Sequence, residues 1–200
     1  VTKLEVTIID TGIANIASVQ AWLAREDVNI QFAKTADQII DTPAIILPGV
    51  GAFAAGIQAL EKFGFKDALI QRAAQGKATL AICLGMQMFC SASEESPGIA
   101  GLNIIPGAIK KFPNDVVVPH FGWNSVESEI PNIKSADAYF ANSYFLDVAP
   151  NGWQACWTDY GTRFISALKR GKIILTQFHP ELSAEFGKQI LQNWIMESLC

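Results

Sequence analysis

Two hydrophobic rhythms alternate in the first half of the chain. Short apolar runs occur at VTIID (6–10), VNIQFA (28–33), AIILP (44–48) and TLAIC (79–83). Between them, mixed apolar and polar segments predict helices over 15–25, 36–40, 52–75 and 84–91. A run without alternation is the mark of a strand buried on both faces. Strands alternating with helices predict an α/β fold, a mostly parallel open sheet covered on both sides. From about 99 to 166 the pattern changes. The runs shorten, Gly, Pro and Asn increase, and aromatic residues cluster, which predicts antiparallel strands or an added sheet. The first rhythm then returns, with a buried strand at KIILTQF (172–178) and a last helix to about 197 that Ser183 would cap.

Length changes this picture little: 200 residues suit a single domain, residues 1–200, with a core of its own. Half the residues are apolar and 17% are charged, which excludes a disordered chain. A net charge of −4 without a basic run gives no footprint for nucleic acid. The start VTKLEVTIID lacks the basic and small-residue regions of a secretory signal. Apolar stretches are cut by Pro48, Gly49 and Gly51, or by Gly85 and Gln87, short of the roughly 20 residues a membrane helix needs. Cysteines 83, 90, 156 and 200 have neither CxxC spacing nor a histidine nearby in sequence, so no metal site and no cofactor are expected. The expectation is a reduced cytoplasmic protein with free thiols.

Candidate chemistry gathers where strands end, the place where open parallel sheets bind ligands. Leu47-Pro48-Gly49, Cys83 and His179 all fall there. Cys83 stands between a predicted strand and a predicted helix. Such a thiol is either a small buried hydrophobe or a nucleophile whose thiolate a helix start would favour. Gly85 would permit the tight turn, and the Leu84 N–H would face an oxyanion. Cys90 is expected on the following helix, Cys156 in an apolar strand and Cys200 at the terminus, none at a comparable turn. A cysteine nucleophile usually needs a histidine base. His179 closes a buried strand and precedes Pro180-Glu181, where Glu181 could orient the imidazole. His120, in PHFGWN, has no acid two positions on. In LPGVGAF (47–53), glycines flank Val50 and leave its backbone amides open, without the lysine and hydroxyl of a P-loop.

Taken in order, LPGVG, AICLGMQ and QFHPE resemble the class I (triad) glutamine amidotransferases. DTGIANIASV (10–19), PGVGAF, PHFGWN, SEES (93–96) and YFANSYF (139–145) are similar to one branch, the glutaminase subunits of imidazole glycerol phosphate synthase in histidine biosynthesis. The resemblance implies a flavodoxin-like sheet and glutamine hydrolysis through a cysteine thioester. Cys83 would attack, His179 would be the base and Glu181 its orienting carboxylate. Amides at Gly49, Val50, Gly51 and Leu84 would hold the oxyanion. Gln87, Glu95 and the backbone of Asn142, Ser143 and Tyr144 would hold the amino-acid end of glutamine. The resemblance further implies a heterodimer with a (βα)8-barrel cyclase subunit that receives the ammonia, with Asn15 and Trp123 near the interface and the PGVG turn as the activation switch. Three residues depart from the pattern: Leu182 for a frequent Lys or Arg, Asn142 for a frequent histidine and Phe121 for a frequent methionine.

Overall fold

The structure, a computed structural model, describes residues 3–200. Nine strands form one sheet in the order β2-β1-β3-β4-β12-β11-β10-β7-β8. Its parallel part comprises β1 (Leu4–Ile8), β2 (Val28–Phe32), β3 (Ala44–Gly49), β4 (Ala78–Cys83) and β12 (Ile173–Thr176). The antiparallel part comprises β11 (Arg163–Arg170), β10 (Gln154–Asp159), β7 (His120–Ser128) and β8 (Ala136–Asn142). The aromatic-rich second half thus extends the same sheet across the edge of β12. It also builds a small sheet from β5 (Cys90–Ser93), β6 (Ile105–Lys111) and β9 (Tyr144–Phe145).

The unbroken apolar runs have their physical reason in two cores. In β3, Ala44 and Ile46 enter one core while Ile45 and Leu47 enter the other, and β4 divides Leu80 and Ile82 from Ala81 in the same way. Helices α1 (Ile16–Leu23) and α6 (Ala184–Leu199) cover the first core with Trp22, Leu23, Phe186, Ile190 and Trp194. The second is covered by α3 (Phe53–Lys62) and α4 (Lys66–Ala74), through Ile57, Leu60 and Leu69. Each fully buried aliphatic side chain stabilises the fold by about 1.5–3 kcal/mol, so neither face tolerates a polar alternation.

Local chemistry sets the boundaries. Helix α2 (Ala36–Asp41) starts in a capping box between Thr35 and Gln38. The helical segments expected over 52–75 are two helices, divided where Gly64 takes φ +69°. Buried Arg72 holds this layer by donating to the carbonyls of Ile39, Thr42, Pro43 and Ala78. The helix expected over 84–91 is shorter, with α5 spanning Leu84–Met88. Cys90 lies in β5 rather than on a helix, since residues 90–93 pair with β6. β12 also ends before residue 178, at Thr176. Ser183 does not cap α6 through its side chain. Its Oγ donates to the His179 carbonyl and accepts from the Tyr139 N–H, so it ties two segments of the site together.

Candidate active site

Sheet register brings the three strand ends together. Gly49 of β3 lies opposite Cys83 of β4, and Ile82 lies opposite Thr176 of β12, three residues before His179. Beyond Thr176 the chain is held by single bonds. The Gln177 N–H donates to the Ser166 carbonyl at 2.8 Å and the His179 N–H to the Tyr139 carbonyl at 2.9 Å. The antiparallel extension therefore positions the histidine that the parallel strands carry.

Cys83 sits at φ +54°, ψ −110°, a conformation that costs a non-glycine residue on the order of 1–3 kcal/mol. This residue makes the sharp turn from strand β4 into helix α5. Gly85 serves differently from the turn expected of it. A Cβ there would meet the Leu47 carbonyl oxygen at 2.1 Å, so glycine is needed for the close approach of α5 to β3. Cys83 itself takes the left-handed conformation.

His179 Nδ1 lies 2.8 Å from Glu181 Oε1, and both side chains are buried. Cys83 and His179 line the same cleft. Burial by itself would lower the imidazole pKa, but hydrogen bonds to Cys83 and Glu181, together with their charges, outweigh it and push His179 up to about 10. The arrangement favours the imidazolium form of His179. Burial pushes Cys90 up to about 12 and Cys156 up to about 11, which keeps both as thiols near neutral pH.

A cavity of about 540 Å³ opens here, lined by Val50, Gly51, Cys83, Leu84, Gln87, Glu95, Asn142, Ser143, Tyr144 and His179 among others. A strained nucleophile turn, a buried Cys–His–Glu series and a roomy cleft are equipment for acyl transfer. Residues 7–198 match the family of class-I glutamine amidotransferases. The chain belongs to the class I glutamine amidotransferase family. It is 36% identical over 195 residues to the imidazole glycerol phosphate synthase subunit HisH of Moorella thermoacetica, covering 94% of this chain and 93% of that one. It is 34% identical to the chloroplastic imidazole glycerol phosphate synthase hisHF of Arabidopsis thaliana, over 97% of this chain and 34% of that protein. Among solved structures, a glutamine amidotransferase superposes with a TM-score of 0.78 at 16% identity, covering 97% of this chain and 99% of that one, a likeness of fold.

In and around this cleft the remaining expected residues take defined places. The Val50 N–H donates to the Ile13 carbonyl at 2.9 Å and so is engaged away from the cleft, while Gly51 takes φ +95°. Glu95 Oε2 accepts from the Phe53 N–H at 2.7 Å, and Ser96 Oγ from the Ala54 N–H at 3.2 Å. Helix α3 has no capping side chain of its own, so these two residues supply its N-terminus with acceptors from a distant loop. Gln87 Nε2 donates to the Tyr144 carbonyl at 3.1 Å and to Gln177 Oε1 at 3.0 Å. Asn142 Nδ2 donates to the same Tyr144 carbonyl at 3.0 Å, and the Ser143 carbonyl accepts from the Phe112 N–H.

Asn15 and Trp123 lie outside this group. Asn15 is exposed and caps α1, its Oδ1 accepting from the Ser18 N–H. Trp123 is 55% exposed on β7, two residues from Phe121, which is 68% exposed and lines the cleft; Leu182 is also exposed. His120 is buried in an aromatic stack, 3.9 Å from the Tyr160 ring and 4.8 Å from the Phe140 ring, and burial lowers it to about 4. Sequence reasoning gave no role to Gln177, which the structure buries completely with Nε2 3.8 Å from Cys83 Sγ. A lone amide within the apolar run KIILTQF was the available signal, since a buried polar side chain must find partners.

Among the described residues no group of three or more His, Cys, Asp or Glu is placed to hold a metal ion, and no helix is long and apolar enough to cross a membrane.

Proposed function

We propose that this chain is the glutaminase subunit of an imidazole glycerol phosphate synthase, hydrolysing glutamine and passing the ammonia to a cyclase subunit for histidine biosynthesis. The observation that carries the reading is Cys83 and His179 lining one cleft, with Glu181 bonded to His179 behind it, in a chain of this family. The Cys83 thiolate attacks the side-chain carbonyl carbon of glutamine. His179 gives its proton to the amide nitrogen, the C–N bond breaks and ammonia leaves a glutamyl thioester. Neutral His179 then takes a proton from water as it attacks, the C–S bond breaks, and glutamate and the thiolate result. Glu181 holds Nδ1, which leaves Nε2 for these transfers.

Both Gln87 N–H groups are already donated, so its remaining polar atom, Oε1, is an acceptor, and the Glu95 carboxylate lines the same cleft. Two acceptors suit the ammonium group of the substrate. Leu84, Gly49, Val50 and Gly51 supply the oxyanion amides once the turn rearranges. The bond from Val50 to the Ile13 carbonyl supports a resting state that partner binding would break, a coupling of two sites through two states. The partner is a (βα)8-barrel cyclase, docked over Asn15, Trp123 and the cleft mouth as a heterodimer with a protected ammonia path. Exposed Phe121 and Leu182 give that surface an apolar character. Four free cysteines support a cytoplasmic setting.

Glutamate release from the chain mixed with its cognate cyclase and the cyclase's nucleotide ligand tests the reading. Stimulation by the cyclase, abolished by Cys83→Ala, is expected. No stimulation would remove the pathway assignment, and full activity of the alanine variant would remove the mechanism.

A further inference from the structure

Gln177 lies outside the triad, yet its amide is committed at both ends. Nε2 is 3.8 Å from Cys83 Sγ, within reach of an N–H···S bond, and Oε1 accepts from Gln87 Nε2 at 3.0 Å. A side-chain amide can be turned either way round with nearly the same shape, so its direction has to come from its partners. Here the direction originates in an atom that cannot turn. The Tyr144 backbone carbonyl can only accept, and it receives Gln87 Nε2 at 3.1 Å as well as Asn142 Nδ2 at 3.0 Å. Gln87 must therefore present its NH2 to Tyr144, and the same NH2 donates its second hydrogen to Gln177. Gln177 must answer with its oxygen, which leaves its own NH2 facing the sulfur. The fold has built a one-way series of hydrogen bonds that ends with a donor on the nucleophile.

We propose that Gln177 is a further catalytic residue, a hydrogen-bond donor that stabilises the Cys83 thiolate, with its polarity set by the Tyr144 carbonyl through Gln87. A hydrogen bond to a charged group is stronger than one to a neutral group, so the donor favours the thiolate over the thiol. It favours the thiolate again as the leaving group when the thioester is hydrolysed. The proposal rests on Cys83 being the nucleophile, and the test separates the two ideas.

Iodoacetamide needs no partner subunit and no bound glutamine. The thiolate displaces iodide, forming C–S and breaking C–I, and digestion with mass spectrometry reads each cysteine separately. In the wild-type chain at pH 7, Cys83 should react faster than Cys200, the exposed thiol at the terminus. Gln177→Met should slow Cys83 about tenfold and leave Cys200 unchanged. Gln87→Met does not touch the sulfur, but it frees the Gln177 amide to turn, and should slow Cys83 about threefold. A wild-type rate in folded Gln177→Met, with folding checked by circular dichroism, overturns the proposal and leaves the nucleophile in place. Should that variant not fold, an unchanged rate in Gln87→Met overturns it instead. If Cys83 in the wild type reacts no faster than Cys200, the nucleophile reading fails, and the proposal with it.

Discussion

The two histidines are buried almost equally, at 6% and 3% exposure, and the protein drives them in opposite directions. His179, at the edge of the parallel strands, is pushed up to about 10, whereas His120, inside the antiparallel extension, is lowered to about 4. Burial opposes the charged form at both sites. At His120 it meets only aromatic faces, an Asn124 amide and no carboxylate among its contacts, so the neutral ring prevails. At His179 a carboxylate at 2.8 Å and the Cys83 side chain reverse the outcome. Burial alone therefore makes a packing residue. Burial together with such hydrogen-bonding partners holds the ring in its charged form.

The largest expected effect comes from breaking that difference at its source. Glu181→Gln removes the charge and keeps the shape, and glutamate release with the cyclase present should fall at least about a hundredfold. In the same variant, imidazole NMR should show His179 titrating well below 10. A value that stays near 10 would mean that the carboxylate is not what overcomes burial.

Stability against pH sharpens the contrast, because the signs differ. A histidine raised in the fold contributes stability in full below its ordinary value near 6.5, and loses it as pH rises through about 10. A histidine lowered in the fold does the reverse. His120 should cost stability as pH falls from 6.5 toward 4, by about 2 to 3 kcal/mol. Urea unfolding at pH 7 and 4.5 should show His120→Phe losing less stability than the wild type over that interval. An equal loss would refute the buried neutral ring. The smallest effect is expected from Tyr160→Ala, which uncovers the ring that Tyr160 stacks on. His120 should then titrate about one unit higher by NMR, while glutaminase activity stays within about twofold.

The central parallel strands β3 and β4 were legible in the chain because both are buried on both faces, and an unbroken run such as AIILP has few other uses. The second half was less legible. Strands such as ADAYFAN alternate, with alternate residues buried, so the pattern predicts antiparallel pairing without saying which sheet receives it. Cys90 was misplaced because residues 84–91 carry no local mark of where helix gives way to strand; pairing with residues near 105 decides it. For the site, Cys83, His179 and Glu181 could be singled out by position and motif. Glu95 as a distant cap for α3, and Ser183 as a tie between His179 and β8, depend on segments more than 40 residues away.

By itself the sequence determined the alternation of strands and helices, the order of the chemical motifs and the scarcity of histidines that made His179 the candidate base. These are properties of composition and local periodicity. Only the tertiary structure decided which histidine is charged, that the Val50 amide is engaged by Ile13, and that Gln177 turns its nitrogen toward Cys83. Those outcomes depend on hydrogen-bond partners and on exclusion of water, and both are set by residues that meet only when the sheet has formed.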